Sequence, residues 1–490
     1  MTAPGMTAAG MTAGTLVPTP AALVPWYAAG ILDDSDVALV RTLLRATAQE
    51  EAHPDVVLAL ALAVRAPRLG HVCVQLGAVD RLLPREERAP APDALPWPAL
   101  PSWLHRLAES PLVGTAASAH AHPRPLLVLE GSRLYLARLW HDEVQVAARL
   151  RAMAQHPGQL TVVTGGPGSG KTTYIAQQLL VRLQALLPDA PFVVALAAPT
   201  GKAAARMKEV LALALHREGA TPAVLERVAT VRASTLHTLL GARHAGAPDR
   251  YRHHAGNPLA CDLLVVDELS MVSLPLLARA LDALRPEAQL MLVGDPDQLA
   301  SVEAGTALAD LVRGATGNPV LAPCLVQRAG SHRFGATSGI GALAAAVRAG
   351  NAEQALAVLE GGHDDVAWVP QPTSWRGAVP AAQCAQVVDQ AQRVTAHARA
   401  GDGAAALREL LTLRTLCAHR TGPSGAFTLN ARVDEALDRT VRQPWPVGRP
   451  VIVTRNDWTL GLANGDMGVV VDTPDGVRVA FAAHDADGGV

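Results

Sequence analysis

The sequence predicts an α/β fold: a parallel sheet covered by helices on both faces. Three observations predict it. First, between about Leu126 and Leu325 four short apolar runs stand at Leu160–Thr164, Phe192–Ala197, Leu263–Val266 and Leu290–Val293. Second, helical stretches lie between these runs, the alternation that gives parallel strands. Third, each run ends in a polar cluster: a Gly-rich loop at 165–173, Ala-Pro-Thr-Gly-Lys at 198–202, Asp-Glu-Leu-Ser at 267–270 and Gly-Asp-Pro-Asp-Gln at 294–298. Ligands of such sheets sit at the carboxyl ends of the strands. Four polar clusters at equivalent ends are much harder to obtain by chance than one motif.

Upstream of this region the pattern changes. Residues 1–20 repeat Met-Thr-Ala with Gly and Pro and carry no charge. That is the composition of a disordered tail, or of an over-extended start, since Met6 and Met11 also begin the repeat. From about Pro25 to Ser110 the pattern is helical. Asp34 or Ser35 is placed to cap a helix running through Val37, Leu39, Val40, Leu43 and Leu44. Val56–Val64 reads as a second, buried helix, and Arg85–Pro101, rich in proline and charge, as a linker or long loop. Residues 21–115 are therefore expected to form a helical interaction domain, with plain packing as its default role.

Composition sets further bounds. A chain of 490 residues suggests two to four domains with sizeable cores. Aromatic residues make up only 3%, so those cores must be built mostly of Leu, Val and Ala. The net charge of −2 gives no global sign of nucleic-acid binding, although a local groove can be basic in a neutral protein. The five cysteines, Cys73, Cys261, Cys324, Cys384 and Cys417, are scattered and form no C-x-x-C pair. Neither a zinc site nor a disulfide framework is suggested, and a reducing cytoplasm is the simplest setting. The longest strongly apolar run, Val56–Val64, is too short to span a bilayer, and the N-terminus lacks the basic and apolar regions of a signal peptide.

The loop Gly165-Gly-Pro-Gly-Ser-Gly-Lys-Thr-Thr173 fits G-x-x-x-x-G-K-[ST] between a strand and a helix, the context that motif requires. Gly165, Gly168 and Gly170 let backbone N–H groups turn inward around a phosphate chain. The helix starting near Lys171 adds its positive dipole end. Lys171 is placed for the β- and γ-phosphates and the Thr172 hydroxyl for Mg²⁺. The bland alternative is a Gly/Pro loop that fits by chance. Lysine usage bears on this choice. Lysine occurs only at Lys171, Lys202 and Lys208, leaving 39 of the 42 basic residues as arginine. The scarcity itself reflects base composition, but a phosphate loop needs a compact point charge rather than a planar fork, and a lysine stands there.

At the other strand ends, Asp267 can hold Mg²⁺ beside Thr172, and Glu268 can orient or deprotonate an attacking water. An ordinary acidic strand cap is the alternative. Gln298 can hydrogen-bond a γ-phosphate and so report ATP or ADP, although the Gly-Asp-Pro-Asp-Gln segment taken alone favours a simple turn. Thr200 and the N–H groups near Gly201 can hold a second phosphate, with Lys202 adding charge, such as that of a DNA backbone. A helix cap followed by a solvated lysine is the competing reading.

Taken together, GGPGSGKTT, APTGKAAARM, TLHTLLG (235–241), LLVVDELSMV, LVGDPDQLASVEAG (292–305) and SHRFG (331–335) resemble the RecD family. These are superfamily 1 helicases, the alpha subunit of exodeoxyribonuclease V. The resemblance continues through CAHRTGPSGAFTLN (417–430) and GRPVIVTRNDWTLGLANGDMGVVV (448–471), and more weakly into the first hundred residues. It implies a P-loop NTPase with two RecA-like domains, over 120–330 and 331–490, with ATP in the cleft between them and single-stranded DNA across their top. It also implies an ATP-dependent 5′–3′ DNA helicase subunit, working with RecB-like and RecC-like subunits on DNA ends in double-strand-break repair and recombination. Residues 165–173, namely Gly165, Gly166, Pro167, Gly168, Ser169, Gly170, Lys171, Thr172 and Thr173, would hold the nucleotide. Thr172 and Asp267 would serve Mg²⁺, Glu268 the water, Gln298 the γ-phosphate, and Arg333 would reach across the cleft. Thr200, His237, Asn456 and Asn464 match segments that line the DNA path, and Gln145 matches an adenine contact. Trp458 is the best candidate for a base-stacking ring, with a core tryptophan as the alternative.

The sequence departs from the family near its end. Members carry one more motif, resembling V-H-K-S-Q-G-S-E with an arginine beyond it, and none is present here. After Val471 the sequence predicts a hairpin, Val469–Val471 with Val477–Phe481 around Pro474-Asp-Gly. The second RecA-like domain is therefore expected to be incomplete. A nucleotide-binding regulatory subunit with little motor activity is the rival reading, and another P-loop ATPase a more distant one.

Overall fold

The computed structural model describes residues 19–482 apart from 83–94, 119–124, 186–191, 230, 243–250, 300, 302, 329, 331–334, 336, 370–378, 440–444, 455, 456, 458, 459, 461 and 463. Arg333, Asn456, Trp458 and nearly all of the expected 1–20 tail thus lie outside the described residues. The chain divides into two compact units. The first comprises 1–166, 191–199 and 236–329; the second comprises 167–190, 200–235 and 330–490.

The first unit begins with helices. α1 (Val24–Ala28) leads to α2 (Asp34–Ala46) and α3 (Pro54–Arg65). The cap of α2 is Asp33 rather than Asp34 or Ser35. Its carboxylate accepts from the N–H groups of Ser35 and Asp36, while Asp36 accepts in return from the Asp33 N–H. This reciprocal capping box satisfies donors at both ends of the turn, which a cap one residue later would not. All of Val56–Val64 is buried on α3, as a helix apolar all round must be. Two short strands flank α4 (Leu100–Glu109): β1 (Cys73–Gln75) and β2 (Val113–Thr115). They join β3 (Leu127–Glu130) and β4 (Arg133–Leu136) in a sheet of order β1-β4-β3-β2. The expected helical region 21–115 therefore also contributes two strands, each too short at three residues to show an alternating pattern.

α5 (Ala137–Ala154) leads into β5 (Leu160–Thr164), and the chain continues through the Gly-rich loop into α6 (Lys171–Ala185). Then follow β6 (Val194–Ala198), α7 (Gly201–Arg217), α8 (Pro222–Ala229), β7 (Arg232–Thr235) and α9 (Leu236–Leu240). β8 (Leu263–Val266), α10 (Leu274–Asp282), β9 (Gln289–Gly294), α11 (Ala307–Ala315) and β10 (Leu325–Gln327) complete this stretch. In the first unit the strands run parallel in the order β10-β5-β9-β8-β6. One sheet face presents Leu160, Val162, Leu264, Val266, Leu290 and Leu292 to α5, α9 and α10 in a single apolar core. Val163, Val265, Met291 and Val293 on the opposite face are buried too, as parallel strands require. Strand β6 lies two residues later than the expected run, because Asp262 accepts the Val193 N–H at 2.7 Å and fixes where pairing begins.

In the second unit, α12 (Gly339–Arg348) and α13 (Ala352–Glu360) precede α14 (Ala381–Arg399), α15 (Gly403–Leu410) and α16 (Ala426–Ala436). β11 (Pro450–Ile452), β12 (Met467–Thr473) and β13 (Gly476–Phe481) form an antiparallel sheet. The β12–β13 hairpin is the one expected around Pro474, closed by the pair Thr473 and Gly476. Its Val469 and Val471 pack with Val394, Ala398, Ala406 and Leu407. Among the described residues no helix is long and apolar enough to cross a membrane.

Candidate nucleotide site at the carboxyl ends of the sheet

Strand register brings the polar clusters to one edge. Thr164 pairs with Gly294 and Gln327, and Val266 pairs with Ala197 and Leu292. Backbone bonds continue the pairing past the strand ends. The Gly165 N–H donates to the Gly294 carbonyl at 3.3 Å, Asp267 N–H to Ala197 at 2.9 Å, and Arg328 N–H to Thr164 at 2.7 Å. Hence Gly165, Asp267, Asp295 and Arg328 all emerge at the same edge. The strand β10 supplies a fifth strand end there, which the four apolar runs did not predict.

The loop after β5 carries its turn on glycines. Gly165, Gly168 and Gly170 have φ of 158°, 75° and 81°, the last two in the left-handed region that L side chains resist. Lys171 opens α6, and the Tyr174 N–H donates back to Gly170 at 3.0 Å, so helical bonding begins immediately after the loop. Lys171 and Thr172 are half-buried. Ser169 is 3% exposed, and its hydroxyl has no hydrogen-bond partner among the described residues. A buried, unpaired hydroxyl is unfavourable unless something else meets it. Left-handed glycines, a helix N-terminus and an orphaned hydroxyl together fit a phosphate group.

At the end of β8, the Asp267 carboxylate accepts the Glu268 N–H at 2.9 Å. Glu268 itself has φ 51°, left-handed for a residue with a Cβ, and the Met271 N–H closes a turn on its carbonyl. Such a conformation is unfavourable by roughly 1–2 kcal/mol and persists where the surroundings fix it. It turns the chain sharply after Asp267, and both residues stay half-buried. At the end of β9, Asp295 is 5% exposed and its carboxylate accepts the Asp297 N–H at 3.1 Å. The Gln298 N–H donates to the Asp295 carbonyl, completing a turn that leaves Gln298 exposed. The turn and a presented glutamine are thus the same feature, not alternatives.

The remaining predicted residues are placed as follows. Thr200 is the N-cap of α7 and accepts from the Ala203 N–H at 3.2 Å, while Lys202 is exposed in the first turn. Gln145 lies on α5 and donates to Asp282 of α10 at 3.2 Å, a bond between two packed helices. His237 on α9 and Asn464, in the turn before β12, are both exposed. Sequence reasoning missed the orphaned Ser169 hydroxyl and the strained Glu268 backbone. The first was readable only as a motif filler, and nothing in the sequence signals the second.

Two family models match segments of this chain. A family model described as an AAA domain matches residues 149–304, which run from the end of α5 through the loop after β9. A model described as the RecBCD enzyme subunit RecD N-terminal domain matches residues 28–135. The RecBCD enzyme subunit RecD of Mycolicibacterium smegmatis is 43% identical over 488 residues, covering 92% of this chain and 82% of the relative. That of Mycobacterium tuberculosis is 40% identical over 490 residues, covering 93% and 80%. Among solved structures, the Pif1 helicase from Candida albicans aligns with a TM-score of 0.30 at 16% identity, over 69% of this chain and 77% of that one. With two fifths of its residues shared with these relatives over nearly its whole length, the chain belongs to the RecD family of RecBCD enzyme subunits.

Proposed function

We propose that this chain is an ATP-dependent DNA helicase subunit that moves 5′ to 3′ on a single strand. In this reading it acts on DNA ends in the cytoplasm with RecB-like and RecC-like subunits, in double-strand-break repair and recombination. The observation that carries it is the Gly-rich loop between β5 and α6, in a chain that a RecD relative matches over 92% of its length. Residues 165–173 would hold the ATP phosphates, Lys171 stabilising charge on the transferring γ-phosphoryl group. Thr172 and Asp267 would hold Mg²⁺, which when bound would supply positive charge beside the phosphates. Glu268 would orient and deprotonate the attacking water, with Gln298 and Arg333 engaging the γ-phosphate. Gln145 as an adenine contact would have to exchange its bond to Asp282. Thr200, Lys202, His237, Asn456, Trp458 and Asn464 would follow the DNA strand.

The domain division that goes with this reading is 21–115 as an interaction domain, 120–330 as a first RecA-like domain and 331–490 as a second. The test is strand separation by the complex with its RecB-like and RecC-like partners, using partial duplexes with a 5′ or a 3′ single-stranded tail. To isolate this subunit, the RecB-like motor carries an inactivating substitution in its own phosphate loop. ATP-dependent unwinding from the 5′ tail is expected. Nucleotide binding with no unwinding from either tail would favour the regulatory reading instead.

A further inference from the structure

Aromatic side chains are scarce in this chain, with four tyrosines in 490 residues. One of them, Tyr251, stands beside His237, with ring centroids 6.4 Å apart and planes inclined at 43°. They are fourteen residues apart in sequence, so the local backbone must bring them together. It does so through a bonded crossing. Ala242 bridges Tyr251 in antiparallel fashion, the Arg252 N–H donates to the Gly241 carbonyl at 3.1 Å, and the His253 N–H donates to Leu240 at 3.0 Å. Gly241 has φ +69°, and a Cβ there would stand 2.7 Å from the Arg252 Cβ, so a glycine is needed for the crossing. Beyond it, the Asn257 side-chain amide donates to the Arg252 carbonyl at 2.8 Å, and His253 Nδ1 donates to the Asn257 carbonyl at 3.2 Å. The segment is held by its own backbone, and the chain ends of the crossing are anchored by Leu236 and Leu240 in the core.

What this scaffold presents is a cation and two rings. Arg252 is exposed and forms no ion pair among the described residues. His237 is exposed, and Tyr251 is half-buried, its inner side packed on the core. The run Tyr251-Arg-His-His254 contains no acidic residue. Asp282, close by on α10, accepts the Ala255 N–H at 3.2 Å and the Gln145 amide, so its carboxylate is engaged. Two neighbouring, mutually tilted rings beside an exposed guanidinium form a surface that suits a base and its adjoining phosphate.

We propose that Tyr251 and Arg252 extend the strand-binding surface beyond His237, Tyr251 stacking on a base and Arg252 contacting a phosphate. This inference rests on the helicase reading above. The experiment is fluorescence-anisotropy binding of labelled oligo-dT to the full 490-residue chain over a salt series, without nucleotide. Variants are Tyr251→Ala, Tyr251→Phe and Arg252→Ala. Tyr251→Ala should weaken binding on the order of tenfold with an unchanged salt slope, and Tyr251→Phe should bind as wild type. Arg252→Ala should reduce the slope of log K against log salt by about 0.7, the release of one counterion from a single strand. If the folded Tyr251→Ala protein binds as wild type, or Arg252→Ala keeps the full slope, the proposal is wrong. Arg252 is exposed, so its variant decides the matter even if Tyr251→Ala does not fold. A wild-type chain that fails to bind oligo-dT at all would instead overturn the helicase reading on which the proposal stands.

Discussion

The Gly305 N–H donates to the Gly70 carbonyl at 3.0 Å, fastening the loop that follows Gln298 to the N-terminal part of the first unit. Two further bonds hold the same loop from the other side. The Leu274 N–H donates to Ala304 at 3.0 Å, and the buried Ser273 hydroxyl donates to Glu303 at 2.7 Å. The segment carrying Gln298 is therefore tied to both β1's approach and the start of α10.

Gly305 admits no side chain. Its φ is +105°, and a Cβ would stand 2.7 Å from the Leu274 Cβ. Gly305→Ala should lower unfolding free energy by about 2 kcal/mol, from left-handed strain and overpacking together. Ser273→Ala should lose about 1 kcal/mol, the net value of one hydrogen bond. Urea denaturation of both variants measures this; a Gly305→Ala protein as stable as wild type would show that the loop has room.

A second prediction concerns acid. Burial pushes the Asp36 carboxyl up, since its side chain is wholly enclosed, while Arg68 and Arg65 pair with it. For Asp33, burial also pushes upward, but hydrogen bonds from Arg68 and Ser35 outweigh it and hold the carboxyl well below the usual range. The depressed Asp33 contributes stability above the unfolded value, near 3.9, that is lost as pH falls below it. The raised Asp36 is least costly when protonated, and Arg68 offsets its charge at higher pH. Both effects give Arg68→Ala the same sign. It should destabilise by about 1–2 kcal/mol at pH 7, with Arg68 partly exposed and screened, and by less near pH 3, where Asp36 is protonated but the depressed Asp33 is still ionised. A penalty independent of pH would mean that Arg68 acts through packing alone.

Cys261 is 3% exposed, and burial, with the Asp262 charge added, pushes its thiol up to about 11. The folded state therefore holds this proton more tightly than the unfolded chain. Its contribution is fully present below the unfolded value, near 8.5–9, and is lost as pH rises from there through about 11. Stability should fall by about 3 kcal/mol across that window, and Cys261→Ala should remove this part of the slope. In the native chain at pH 8, iodoacetamide should leave Cys261 unmodified until denaturant is added. Rapid labelling of Cys261 in the native state would contradict the burial.

The parts legible in sequence were those where local residues determine the geometry. The strand–loop–helix at 160–185 was readable because glycines, a lysine and a threonine must stand at fixed offsets around a phosphate. The 467–481 hairpin was readable from two valine-rich runs around Pro-Asp-Gly. What stayed hidden depends on partners distant in sequence. The strand β1 exists because it pairs with β4, sixty residues away. Gln145 meets Asp282 across two helices, and Tyr251 meets His237 through a backbone crossing. The Asp33 cap was missed by one residue because three acidic or hydroxyl side chains in a row compete for it, and only the reciprocal bond with Asp36 decides.

The central claim is that the loop at 165–173 binds and helps cleave ATP. Its most direct test is steady-state ATP hydrolysis by wild type and Lys171→Ala, with and without single-stranded DNA, beside circular dichroism to verify folding. In the proposed reading Lys171 would stabilise the negative charge of the transferring phosphoryl group, so its loss should lower the DNA-stimulated rate by about 10² to 10³ or more with the fold unchanged. A folded Lys171→Ala protein that hydrolyses ATP at the wild-type, DNA-stimulated rate would contradict the assignment of this site.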